Sequence, residues 1–271
     1  MKIITSILFL FCFILFISCS DTKHEEQKST IVSTEVDYYI DGITMKGFVA
    51  FDSTIKGKRP GVLIVHEWWG HNDYSRKRAK MLAELGYTAL ALDMFGDGKQ
   101  ANHPDDAGKF AMEVFNNMEA SKAKFEAAMK LLKEQPTTDP EQIAAIGYCF
   151  GGGVVLHMAR FGYELDAVAS FHGGLQTENP AEPGNIKGRL LICNGADDPM
   201  TTPTQIEAFK KEMSDAGVDY KFINYPGAKH SFTNPIADSV GKKFNMPLVY
   251  NKEADEKSWA EMQTLFNEVF K

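Results

Sequence analysis

Gly147-Tyr148-Cys149-Phe150-Gly151, continued by Gly152 and Gly153, is the stretch on which the fold turns. It directly follows the apolar run Ile143 to Ile146 and opens the helical segment Gly152 to Phe161. A nucleophilic residue between two glycines at this spacing marks a strained strand-to-helix turn, here with Cys where Ser is commoner. The glycines let the backbone bend sharply and let strand and helix approach closely. The helix N-terminus beside the thiol favours thiolate, and its free N–H groups suit a developing oxyanion. The same letters also fit a glycine-rich turn around a buried, inert cysteine.

Two further turns follow strands downstream. Gly195-Ala196-Asp197-Asp198-Pro199 comes after the apolar run Arg189 to Cys193, and Asp198 lies three residues beyond Gly195. A carboxylate there can fix an imidazole tautomer; Asp198 is preferred to Asp197. Gly227-Ala228-Lys229-His230-Ser231-Phe232 comes after the run Tyr220 to Tyr225, and His230 is a candidate general base and acid. Read singly, the first is a common turn and the second a surface loop. Together they give the chain order nucleophile, acid, histidine at 149, 198 and 230.

The surrounding chain alternates strands with helices. Val36 to Ile40 and Met45 to Phe51 flank Asp41-Gly42, a hairpin signal. Gly61 to Val65 is a continuous apolar run of the kind buried on both faces. Helical patterns cover Arg76 to Leu85, Ala107 to Lys133 in one or two pieces, Pro203 to Ala216 and Glu253 to Phe270. Further strands are expected at Tyr87 to Leu92 and Ala167 to Phe171, and Pro136 to Pro140 reads as a break. The pattern predicts an α/β architecture: a mostly parallel central sheet, an N-terminal antiparallel hairpin, and helices on both faces.

Composition narrows the function. The 271 residues carry 29 Lys+Arg against 36 Asp+Glu, a net charge of -7, which argues against a general nucleic-acid binder. Four cysteines are too few for a disulfide scaffold. The N-terminus reads separately. Lys2 precedes the apolar run Ile7 to Ile17, too short to span a bilayer of about 30 Å. Phe16-Ile17-Ser18-Cys19 resembles a bacterial lipoprotein cleavage box, with Phe16 where Leu is usual. The polar stretch Ser20 to Thr34 reads as a tether. Residues 1–18 are therefore expected to be a signal peptide, 19–31 a tether anchored through lipidated Cys19, and 32–271 one domain. An ordinary signal peptide or an uncleaved anchor are the alternatives. The expected location is the cell envelope, periplasmic or surface-facing.

The chain resembles the dienelactone hydrolase family over essentially this whole domain. The matching residues are His66-Glu67-Trp68-Trp69-Gly70, Leu92-Asp93-Met94-Phe95, the Cys149 turn, the Asp198 turn, Ala228-Lys229-His230-Ser231-Phe232 and Tyr250-Asn251. The resemblance implies an α/β-hydrolase fold and hydrolysis of a small carboxylic ester or lactone through an acyl-enzyme. It implies Cys149 as nucleophile, His230 as base, Asp198 as orienting acid, and Glu67 as a carboxylate contacting the resting thiol. It also implies the Trp68 and Phe150 backbone N–H groups as oxyanion hole. No metal or organic cofactor is expected, and the protein is expected to be a monomer that meets the membrane only through Cys19. His172, before Gly173-Gly174, reads as loop packing or pocket wall.

One departure bears on substrate. Family members acting on dienelactone carry Arg where this chain has Asp97 and Asn234, and those arginines hold the substrate carboxylate. A neutral ester or lactone is therefore expected, with Asp97 repelling an anionic one. Two other functions compete: a lipid-anchored binding or scaffold protein with a vestigial site, and a thiol redox role for Cys149 and Cys193.

Overall fold

The computed structural model describes residues 30–270. The expected hairpin is formed by β1 (Ile31–Ile40) and β2 (Ile43–Asp52), joined by Asp41 and Gly42 at φ 49° and 79°. Two successive left-handed residues are what a two-residue type I′ turn requires. β1 starts at Ile31, so the last residues of the polar stretch read as a tether belong to the sheet. The reason is that β1 is an edge strand, paired only with β2 from Ile31–Asp52 to Ile40–Ile43. Ten residues of backbone pairing hold it with little apolar surface of its own.

The chain then runs through β3 (Arg59–Val65), α1 (Asp73–Glu84), β4 (Thr88–Leu92), α2 (Pro104–Asn116), α3 (Met118–Lys133), β5 (Thr138–Tyr148) and α4 (Phe150–Arg160). It continues with β6 (Ala167–Phe171), β7 (Arg189–Gly195), α5 (Pro203–Asp215), β8 (Tyr220–Tyr225), α6 (Ala237–Phe244) and α7 (Lys252–Val269). The eight strands lie in the order β1-β2-β4-β3-β5-β6-β7-β8. β2 pairs antiparallel with both β1 and β4, and every later pairing is parallel.

Alternate residues of the central strands feed two different cores, which is why those strands are apolar throughout. Leu63 and Val65 of β3 join Phe125, Leu132 and Val154 from α3 and α4. Val62 and Ile64 join Leu82 and Phe266 from α1 and α7 on the other face. Each such side chain, fully buried, contributes about 1.5–3 kcal/mol.

Three elements refine the expected pattern. Asn117 splits the long helical stretch: it ends α2 and its side chain accepts the Ala120 N–H at the start of α3. Pro140 does not exclude a strand, because β5 begins at Thr138 and shifts register against β3 between Pro60 and Gly61. α6 has no counterpart in the expected pattern. It is eight residues long and contains Gly241, where a Cβ would crowd the Leu248 carbonyl. The missing Cβ lets the following chain cross close to the helix.

The parallel strands end at one edge of the sheet. β3 lies between β4 and β5, so the chain leaves it in opposite directions on its two sides. This switch point is where open α/β sheets form their crevice. The turns carrying Glu67, Cys149, His172, Asp198 and His230 all leave the carboxyl ends of β3, β5, β6, β7 and β8.

Candidate active site

Cys149 occupies the turn between β5 and α4 at φ 52° and ψ −115°, a conformation side-chain-bearing residues rarely adopt. Tight packing holds it there. A Cβ at Gly147 would overlap the Gly151 carbonyl, and one at Gly151 would overlap the Val65 carbonyl. The second approach sets the elbow against the end of β3, where the Glu67 loop begins. The Cys149 N–H is shared between the Phe171 carbonyl (2.9 Å) and His172 Nδ1 (3.1 Å).

His230 joins nucleophile and acid. Its Nε2 stands 3.1 Å from Cys149 Sγ and its Nδ1 stands 2.8 Å from Asp198 Oδ2. Asp198 is buried and takes the Met200 N–H on its other oxygen at 2.8 Å, whereas Asp197 faces solvent. Geometry thus selects Asp198. Burial works against charge on the His230 ring. The Cys149 charge, hydrogen bonds to Asp198 and Cys149, and the Asp198 charge outweigh it and raise the ring to about 10. The His230 ring is therefore held protonated beside the Cys149 sulfur.

Glu67 is 2% exposed. The expectation that it contacts the resting thiol is corrected: Ser231 Oγ donates to its Oε1 (3.1 Å) and Asn234 Nδ2 to its Oε2 (2.6 Å). The His230 loop supplies both donors, and Ser231 is held at φ 57° to do so. Burial pushes the Glu67 carboxyl up, and the bonds from Asn234 and Ser231 with the His230 and Arg78 charges oppose that rise.

The candidate oxyanion donors have free N–H groups. Trp68 lies in the turn closed by Gly70 N–H onto the Glu67 carbonyl (3.1 Å), and its own N–H meets no acceptor among the described residues. Phe150 is the first residue of α4, so its N–H has no intrahelical acceptor. His66 braces this loop. Its Nδ1 donates to the Glu67 carbonyl at 2.6 Å and its Nε2 accepts the Met94 N–H at 3.2 Å, while its ring stacks on Phe150.

These turns bring the Cys149 thiol, the His230 imidazole and the Asp198 carboxylate together in hydrogen-bonding sequence. The sequence model of the dienelactone hydrolase family matches residues 45–270.

The chain belongs to the dienelactone hydrolase family.

This dienelactone hydrolase family protein is similar to the solved structure of m3DLH, at 38% identity and a TM-score of 0.83, covering 89% of this chain and 99% of that one. It is also similar to a dienelactone hydrolase-like promiscuous phosphotriesterase from metagenomic libraries, at 35% identity and a TM-score of 0.82 with the same coverage. Among curated proteins, "Protein usf" of Aquifex pyrophilus is 32% identical over 211 residues, 76% of this chain and 89% of that protein. Membership makes the protein a hydrolase of the ester- and lactone-cleaving kind.

Three positions bear on the expectations about substrate and redox chemistry. Asn234, at one of the two arginine positions, binds Glu67 and lines a cavity of about 240 Å³ with Trp69, Gln100, Ile236 and Phe244. Asp97, at the other, is exposed at φ 56° with its N–H on the Thr44 carbonyl (2.6 Å), against the β1–β2 hairpin. That placement sets it beside Lys46 and Lys124. Cys193 is fully buried in β7 with Sγ 3.7 Å from Tyr225 Oη, and burial pushes its thiol up to about 12. A thiol so protonated and enclosed does not suit disulfide exchange with Cys149; both cysteines are free. Cys19 and the expected signal segment lie outside the described residues.

Sequence reading missed the partners of Glu67 and the role of His172. Ser231 and Asn234 are ordinary loop residues by type, and only the folded loop turns them onto a carboxylate. His172 offered one signal, a histidine directly after a strand and before two glycines.

Proposed function

We propose that the protein hydrolyses neutral small carboxylic esters or lactones through a Cys149 acyl-enzyme. The Cys149–His230–Asp198 hydrogen-bonded series carries this reading. The Cys149 thiolate attacks the carbonyl carbon, and the oxyanion is held by the Trp68 and Phe150 N–H groups. Collapse expels the alkoxide, which takes the proton from the His230 imidazolium. Neutral His230 then removes a proton from water, which attacks the thioester, and the acid leaves with the thiolate restored. Asp198 keeps the imidazole in the tautomer that presents Nε2 to sulfur.

Neutral substrates are favoured because no guanidinium stands at position 97 or 234. The support comes from Asn234, which is bonded to Glu67 at the site, rather than from Asp97, which sits against the hairpin. The N-terminal signal pattern and Cys19 support lipid anchoring in the cell envelope. Comparing kcat/KM of the purified protein on dienelactone and on neutral short-chain aryl esters tests the substrate class. The expected result is a clear preference for the aryl esters, and a preference for dienelactone overturns the reading. Metabolic labelling with a radioactive fatty acid tests the anchor: label is expected in the native chain and absent from Cys19→Ser.

A further inference from the structure

We propose that His172 is a positioning residue, locked in one neutral tautomer by Thr233 so that its Nδ1 clamps the Cys149 backbone N–H. The proposal rests on reading Cys149 as the nucleophile.

His172 is fully buried and itself strained, at φ 42°. A ring nitrogen that accepts a backbone N–H carries no proton, so the proton sits on Nε2. Nε2 then donates to Thr233 Oγ1 at 2.7 Å. Having accepted there, the Thr233 hydroxyl gives its own proton to Tyr74 Oη at 2.7 Å, and Tyr74 donates to the Thr233 carbonyl at 3.2 Å. Arg78 anchors the far end of the series. Its Nε and Nη2 donate to Tyr74 Oη at 3.2 and 3.1 Å, and Nη2 also reaches the Thr233 carbonyl (2.8 Å) and Asp255 (2.6 Å). A guanidinium only donates, so Tyr74 accepts from it, while the tautomer of His172 is fixed at the other end by the Cys149 N–H, which can only donate. The rings of Tyr74, Tyr148 and Trp259, each 5.2 Å from the Arg78 guanidinium carbon, hold that cation in place.

The groups facing His172 agree with a neutral ring. The His230 ring meets it edge-on at 5.3 Å, Phe232 at 5.2 Å and Tyr148 at 6.2 Å, and Arg78 acts through Thr233. Burial, then the positive charges of His230 and Arg78, hold its pKa well below the usual histidine value. Protonation would turn Nδ1 into a donor pointed at the Cys149 N–H. Thr233 lies three residues beyond His230 in the same loop, so one clamp ties the nucleophile's backbone to the loop that carries its base. The 3.1 Å separation of Cys149 Sγ and His230 Nε2 depends on both ends.

The test uses the full chain and two readouts, ester turnover and the pH dependence of Cys149 alkylation by iodoacetamide, followed at its own peptide by mass spectrometry. Thr233→Val keeps the shape and removes the hydroxyl. It is expected to lower kcat about tenfold with KM within about twofold, and to raise the alkylation midpoint by about one pH unit. Thr233→Ser is expected to restore both. A Thr233→Val protein that melts lower but keeps the wild-type kcat and alkylation profile overturns the proposal. If that variant fails to fold, His172→Phe removes the acceptor and keeps the ring, and a wild-type alkylation profile in it overturns the clamp equally. The alkylation arm needs no substrate. Absence of ester turnover in the wild type would therefore sink the acyl-transfer reading while the clamp is judged separately.

Discussion

Asn234 Nδ2 donates to Glu67 Oε2 at 2.6 Å, holding a buried carboxylate on the His230 loop instead of on the Cys149 thiol. The thiol pairs with His230, whose Nε2 stands 3.1 Å from Sγ.

Removing the Asn234 bond should be felt at the thiol. Asn234→Ala leaves Glu67 with only Ser231 as a hydrogen-bond donor in a buried setting, a loss of about 1–3 kcal/mol. The expected outcomes are a lower melting temperature and slower alkylation of Cys149. Asn234→Arg should shift the ratio of kcat/KM towards substrates bearing a carboxylate. An unchanged ratio in the Arg variant would show that this position does not select charge.

The two neighbouring aspartates should behave differently. Asp198→Asn is expected to lower kcat by about a hundredfold to ten-thousandfold, because the amide can donate to His230 Nδ1 and stabilise the wrong tautomer. Asp197→Asn, on an exposed side chain, should leave kcat within about twofold of wild type. Equal losses in the two variants would dissolve the assignment of Asp198.

The pH response follows from the His230 ring. Burial would lower it, but the Cys149 charge and the Asp198 and Cys149 bonds raise it to about 10. Its folded value thus lies above the unfolded one of about 6.5. Protonation therefore contributes stability in full below about pH 6.5, and that contribution is lost as pH rises through about 10. Cys149→Ala removes the leading upward cause, so nitrogen NMR should show the ring titrating at lower pH. The stability difference between the two proteins should shrink between pH 7 and pH 10.5. A ring that titrates identically in both excludes the thiolate–imidazolium pair.

The short helix α6 can be tested through Gly241. A Cβ there would crowd the Leu248 carbonyl, and Leu248 pairs with His230 itself through an isolated bridge. Gly241→Ala is expected to cost about 1–3 kcal/mol by overpacking, read as a fall in the urea midpoint. A midpoint at or above wild type would show that α6 yields freely.

Much of this molecule follows from local pattern. Apolar runs bounded by turns located the central strands because those strands are buried on both faces. The Gly147 to Gly153 stretch located the elbow because no other residue fits where backbones overlap. Chain order then placed an aspartate and a histidine on strand ends of the same sheet edge. The first residues of edge strand β1 and helix α6 escaped because pairing and crossing, unlike amphipathic packing, leave little trace in hydrophobic periodicity.

The sequence by itself determined the α/β architecture, the family and which side chains could react. Only the tertiary structure decided how they are shared out: Glu67 on Asn234 rather than on sulfur, and His172 on the Cys149 N–H. The physical reason is that hydrogen bonds between loops depend on directions set by neighbouring strands, and residues such as Thr233 and Tyr74, far apart in the chain, meet only when the sheet and its helices close around them.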